Sequence, residues 1–273
     1  MRYPILFETP REKDKDMTID YMLQVGCMEN PTPIYGIKSV SPLINLPHFD
    51  IIKGFVPDYM HCCLLGVAQQ ITNYLLDKCD MHLIDDLIKS IKVPHVVSRL
   101  SRPFSDRNYW KAQEWENWII YYSVPILASK ISSEMLHYWT LFVESLYICL
   151  QTDINEADLD RADEMLHIFA FKTQKYFGKT AMTYNMHQLL HLVKSVYNSG
   201  PLWSHSAFAF ESGNHQLLQA IHCAKGVILQ ILRFLNINSS TFALEKKVYP
   251  TACEIVRNYC VTIKKIPVKK SYK

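Results

Sequence analysis

Glycine is scarce in this chain, 8 in 273 residues, and the scarcity removes whole classes of site. So little glycine argues against a Gly-rich β-sandwich or a phosphate-cradling loop, and neither a Walker loop nor a dinucleotide fingerprint occurs. No C-x-x-C pair exists among the 8 cysteines, so a zinc ribbon or knuckle is not expected. Cys27, Cys62, Cys63, Cys79, Cys149, Cys223, Cys253 and Cys260 are scattered through helical patterns. They read as reduced, mostly buried thiols. Unbroken apolar runs are short. The nearest to a long one, WIIYYSVPILA, is interrupted by Ser123 and Pro125. No membrane span is therefore expected, since one needs about 18 apolar residues. The stretch MRYPILFETPREKDKD has charge on both sides of a brief apolar run and does not read as a signal peptide. A nuclear or cytoplasmic protein is expected, not a secreted one.

What is present describes a globular chain with a sizeable core: 49% hydrophobic and 20% charged residues. The net charge of +3 is unevenly placed. Val261 to Lys273 carries five lysines and no acid, and without it 24 basic residues face 26 acidic ones. A nucleic-acid binder normally has a basic face. Here composition supplies only a short basic tail, which reads as a solvated terminus.

Residues 1–57 read as an irregular, extended piece punctuated by Pro31, Pro33, Pro42, Pro47 and Pro57, with IYGIKSV and FDIIKGFV the only strand-like runs. From Asp58 the apolar period turns helical and stays so to about residue 260, ahead of the tail at 261–273. Trp115, Trp118 and Tyr122 fall on one stripe, which predicts core packing. DINEADLDRADEMLHIFAFKTQKYFG opens with Asp153 and Glu156 at capping-box spacing. The fold class is mainly α: a helical bundle behind a short extended N-terminal piece.

Several constellations bear on chemistry. In VPDYMHCCLLGV, Asp58 stands where an N-cap belongs and His61 lies one turn in, on the same face. Capping is the simpler reading. His187 and His191 form an i, i+4 pair of the kind that chelates zinc, but Gln188 stands where a metalloprotease needs Glu. Both lie off the stripe of Met186, Leu189, Leu190, Val193 and Val196, as surface or capping residues would. The segment from Glu211 reads as one long helix with Leu217, Ile221, Ala224, Ile228, Ile231 and Leu235 on one face. Glu211, His215 and His222 occupy a flank, where they are either an exposed polar strip or a rigidly held carboxylate and imidazoles. A metal-dependent hydrolase built on His187, His191, Glu211 and His215 is the weakest of these readings.

The order of the pieces carries a resemblance. The run from SPLINLPHFDIIKGFVPDYMHCCLLGV through WKAQEWENWIIYYSVPIL to YNMHQLLHLVKSVYNSGPLWSHSAFAFESGNHQLL resembles the C-terminal part of CACTA-type (En/Spm-like) DDE transposases. That part includes the domain of unknown function that closes many of them. The likeness runs from about Gly36 to Leu235. It implies an RNase H-like core whose three acids hold two Mg²⁺ or Mn²⁺ ions for DNA strand cleavage and transfer. By resemblance Glu211 matches the third acid, and Asp58 and His61 match the D-x-x-H motif, shaping the site without being primary ligands.

In that family the first two catalytic aspartates and a Cys pair precede the D-x-x-H motif. Only 57 residues precede Asp58 here, and a five-stranded core needs about 25–30 strand residues plus connections. Asp14, Asp16, Asp20 and Asp50 sit in charged or Pro-rich sequence. The expectation is an incomplete RNase H-like core at 1–57, a helical transposase-like body at 58–260, no cofactor of any kind in this fragment, and no autonomous cleavage. DNA or protein is the expected partner. The alternative is a helical protein-interaction scaffold that binds no DNA.

Overall fold

In the computed structural model, the described residues are 2–5, 14–77, 79–95, 97, 100–248 and 251–263. The lysines of the basic tail, from Lys264 on, lie outside them. Two compact units are present, Met1–Ser206 and Ala207–Lys273. The division falls inside the stretch that reads in sequence as one helical body.

The helices of the first unit are α1 (Lys15–Gly26), α2 (Gln69–Leu75), α3 (Met81–Ser90), α4 (Ala112–Asn117), α5 (Ser123–Leu127), α6 (Ser133–Cys149), α7 (Glu156–Phe177), α8 (Tyr184–Gln188) and α9 (Leu192–Ser199). The second unit holds α10 (Phe208–Gln219), α11 (Val227–Val248) and α12 (Glu254–Ile263). Two π-helical segments, Tyr59–Ala68 and Trp118–Tyr122, lead into α2 and α5. The expected mainly helical bundle is what the chain forms. Among the described residues there is no strand; the strand-like runs yield one bridge, Ile34 to Ile37, around a turn at Tyr35 and Gly36. Residues 1–57 are less irregular than expected, because Asp14 caps α1 by accepting from the Asp16 and Met17 N–H groups.

α6 and α7 form the central hairpin. The cap of α7 is Asn155, one residue before the Glu156 of the expected box and two after Asp153. Glu156 and Asp158 occupy its first turn, Lys175 its last, and Gly178 at φ 76° ends it. Leu159, Ala162, Leu166, Phe169 and Thr173 recur at helical spacing and are buried. Tyr138 of α6 stacks on Phe169 at 4.7 Å, and its hydroxyl pairs with the Thr173 hydroxyl at 2.7 Å.

The predicted tryptophan stripe is core: Trp115, Trp118 and Tyr122 are buried. Trp110 stands edge-on to Phe104 and to Trp115. The Trp118 indole N–H donates to the Thr72 hydroxyl at 3.0 Å, and that of Trp139 to the Ser123 hydroxyl at 2.9 Å. Within this cluster lies Glu114, whose side chain is 0% exposed. Its carboxylate accepts from the Arg102 guanidinium at 2.7 and 2.8 Å and from the backbone N–H groups of Lys111 and Arg102 at 2.9 and 3.1 Å. Burial alone would raise its pKa, but these donors outweigh burial and hold it at about 2.

Removing Glu114 leaves two backbone N–H groups and the Arg102 guanidinium without their acceptor, while the charge left behind, on Arg102, is partly exposed. Glu114→Ala is expected to cost about 1–3 kcal/mol in urea unfolding. Because the folded carboxyl is depressed, its contribution is complete above the ordinary 4.5 and fades as pH falls towards about 2. Wild type therefore loses stability across that acid window, and the variant loses less.

Candidate functional site

Asp58 and His61 meet at the start of the first π-helical segment. One carboxylate oxygen of Asp58 accepts from the His61 backbone N–H at 2.8 Å and faces its Nδ1 at 2.6 Å. Asp58 is thus a helix cap that also grips the imidazole. In the tautomer where Nδ1 donates, Nε2 becomes the acceptor nitrogen, an arrangement that suits a ligand or a proton relay. His61 is exposed and Asp58 half-buried.

α8 packs on this same segment. The Cys62 thiol donates to the Asn185 carbonyl at 3.3 Å. Gly66 lies under Asn185, where a Cβ would stand 2.9 Å from the His61 carbonyl oxygen. The side chain at 66 must be hydrogen for the two elements to approach this closely.

The helix expected over Asn185–Asn198 is interrupted: α8 stops at Gln188, a 3₁₀ turn spans Leu189–His191, and α9 follows. The expected buried stripe survives for the most part. Met186, Leu189, Val193 and Val196 are buried and Leu190 is half-buried, while His187 is half-buried and His191 exposed. The two Nε2 atoms stand 3.4 Å apart, so either one ring donates to the other or both lone pairs point at one cation. Burial and the neighbouring His191 lower the His187 pKa. Tyr3, invisible as a partner in the linear sequence, stacks on His187 at 5.2 Å and 18°. It is set there by its N–H bond to the Met182 carbonyl at 2.9 Å.

Glu211 lies in the first turn of α10, where the helix dipole favours a carboxylate, and is exposed. His215, one turn on, pairs with Gln219 at 2.9 Å. The single long helix expected from Glu211 to Leu235 is two. It breaks at Ala220–Gly226, with Gly226 at φ 66°. Gln230 ties the connection by accepting from the His222 N–H at 2.7 Å and donating to the Cys223 and Lys225 carbonyls at 2.9 Å. His222 therefore leaves the flank shared by Glu211 and His215.

The structure thus brings Asp58 to His61 and His187 to His191, and carries Glu211 and His215 on a helix of the second unit. Among the described residues no three His, Cys, Asp or Glu side chains gather as a metal site would require. Sequence reading overlooked His205, whose two ring nitrogens are buried with no hydrogen-bond partner among the described residues. Nothing in the local sequence marks that burial. The thiols divide: Cys62, Cys63 and Cys149 are buried, Cys79 is half-buried, and Cys27, Cys223 and Cys253 are exposed. Burial pushes the Cys149 thiol up to about 12 and that of Cys63 well above its ordinary value, which leaves both unreactive.

Asp58→Ala is expected to cost about 1 kcal/mol by thermal unfolding, and Asp58→Asn, which still accepts at the cap, less than about 0.5 kcal/mol. His187 gives a pH signature. Its folded pKa is lowered, so below the ordinary 6.5 the unfolded chain takes up the proton first and stability falls. Melting temperature should drop as pH goes from neutral to mildly acid, and His187→Gln should shrink that drop by about 1–2 °C.

No family model, curated protein or solved structure matches this chain.

Proposed function

We propose that this chain is a CACTA-type transposase-derived helical protein that neither cuts nor joins DNA by itself and acts by associating with DNA or protein. The likeness in motif order supports the origin. The lack of cleavage rests on one observation: of the three acids that the family's chemistry uses, only Glu211 has a counterpart at its motif position in this sequence. Two-metal phosphodiester chemistry needs several carboxylates converging on one cation pocket. Glu211 alone supplies a single carboxylate.

The second reading, a protein-interaction scaffold that binds no DNA, has its own support. The second unit exposes large apolar side chains on α10 and α11, Phe210, Leu218, Ile228 and Leu229 among them. Salt-dependent DNA binding that weakens when Lys264–Lys273 is deleted would decide against it.

For the main reading, the purified chain is incubated with duplex DNA and Mg²⁺ or Mn²⁺. Neither cleavage nor strand transfer should exceed background, with Glu211→Ala indistinguishable from wild type. Metal-dependent cleavage abolished by Glu211→Ala would refute the proposal.

A further inference from the structure

His187 and His191 stand on either side of the joint where α8 gives way to the Leu189–His191 turn. The segment is anchored from beneath. Met186 and Leu189 are buried, α8 packs on the first π-helical segment, and the turn packs on α7. Tyr3 stacks on the face of the His187 ring. A metal bonds to imidazole in the ring plane, so the stack orients the ring without competing for its nitrogens.

The separation of the two rings is specific. An ion bonded to both Nε2 atoms at about 2.0–2.1 Å, with a tetrahedral angle between the bonds, sets those atoms about 3.3–3.4 Å apart and the ring centroids roughly 5 Å apart. The two Nε2 atoms are 3.4 Å apart and the centroids 5.0 Å. A straight N–H···N hydrogen bond of that length would hold the centroids roughly 5.5–6 Å apart, and good hydrogen bonds are shorter, at about 2.7–3.2 Å. The nitrogens therefore converge obliquely on a common point in place of meeting head-on.

We propose that His187 and His191 together bind one divalent transition ion, zinc by this geometry, at an open site whose remaining positions water fills. Neutral imidazole is the ligand form, and burial together with the neighbouring His191 favours the neutral form of His187. Imidazole suits zinc, copper and nickel, whereas Mg²⁺ prefers oxygen ligands. A closed structural site would need further protein ligands, and the described residues gather no third one. The ion is accordingly exchangeable, and it clamps α8 to the turn that follows.

The test is isothermal titration of Zn²⁺ into the full, untagged chain. Exposed thiols are alkylated first, because Cys27, Cys223 and Cys253 would also take zinc. One equivalent should bind at the tightest site, and Mg²⁺ should not replace it. His191→Gln, at an exposed position, should weaken binding at least tenfold with far-UV circular dichroism unchanged, and His187→Gln should do the same. Zn²⁺ at about 100 times its dissociation constant should raise the melting temperature of wild type by about 5–10 °C, and that of His191→Gln far less. Binding and stabilisation that His191→Gln leaves unchanged overturn the proposal, as does wild-type binding no tighter than that of the chain with both substitutions. Should His187→Gln lose structure, the His191→Gln response decides alone. None of these readouts involves DNA, so the result stands apart from the cleavage assay.

Discussion

The carboxylate of Glu114 is the constraint on which the first unit depends. An ionised group with no exposed side-chain surface is tolerable only when its lone pairs are met, and four donors meet them. Those donors come from two stretches, Arg102 and Lys111, so satisfying one charge fixes the whole loop between them. That loop carries Phe104 and Trp110 into the aromatic cluster with Trp115 and Trp118. The same loop is pinned from the other side, where the Phe104 N–H donates to the buried Asp85 carboxylate and the Arg107 guanidinium donates to Asn73 at 2.7 Å. Two carboxylates thus hold a loop between α2, α3 and α4.

Against α4 lies the π-helical segment that bears Asp58 and His61. Its i→i+5 bonding makes a wider turn than that of an α-helix, and Tyr59, Met60, Cys62, Cys63, Leu64, Val67 and Ala68 are buried. This wider turn buries most of the segment and leaves His61 outside. α8 packs on it as well, and Gly66 makes that approach possible. The Asp58–His61 pair and His187 therefore ride on packed elements and not on loops, although the geometry gathers no third ligand.

Much of this was legible in the sequence, and the misses have physical causes. The capping role of Asp58 followed from its place before an apolar run, and the burial of Trp115, Trp118 and Tyr122 followed from spacing. α1 went unread because its apolar residues, Met17, Ile19, Tyr21, Met22, Leu23 and Val25, spread round the helix and only Thr18, Met22 and Val25 are buried, so periodicity was weak. The break at Ala220–Gly226 was masked by apolar residues that continue the helical register across it; the chain turns there because Gly226 takes a positive φ and Gln230 satisfies the freed backbone groups. Glu114 was hidden by a sequence that gives no hint of Arg102 as its partner. Tyr3 and His187 stand far apart in sequence, and only the fold shows that they touch.

The two units draw their order from different sources. In the first, aromatic and aliphatic side chains are buried throughout, and burial of each large one contributes about 1.5–3 kcal/mol. In the second, helices of 12, 22 and 10 residues bury almost nothing among the residues whose burial is described. Helices of such lengths are marginal in water, since most helical stability in proteins comes from packing an apolar face. α11 adds Asn236, Asn238, Ser239, Ser240 and Thr241, all poorer helix formers than alanine. Its local propensity is therefore weakest around Asn236, Asn238, Ser239, Ser240 and Thr241, and its exposed apolar side chains add little to its stability. Helix order and burial are coupled here: packing on the apolar side chains of α11, Ile228 and Leu229 among them, adds to the free energy that keeps it helical.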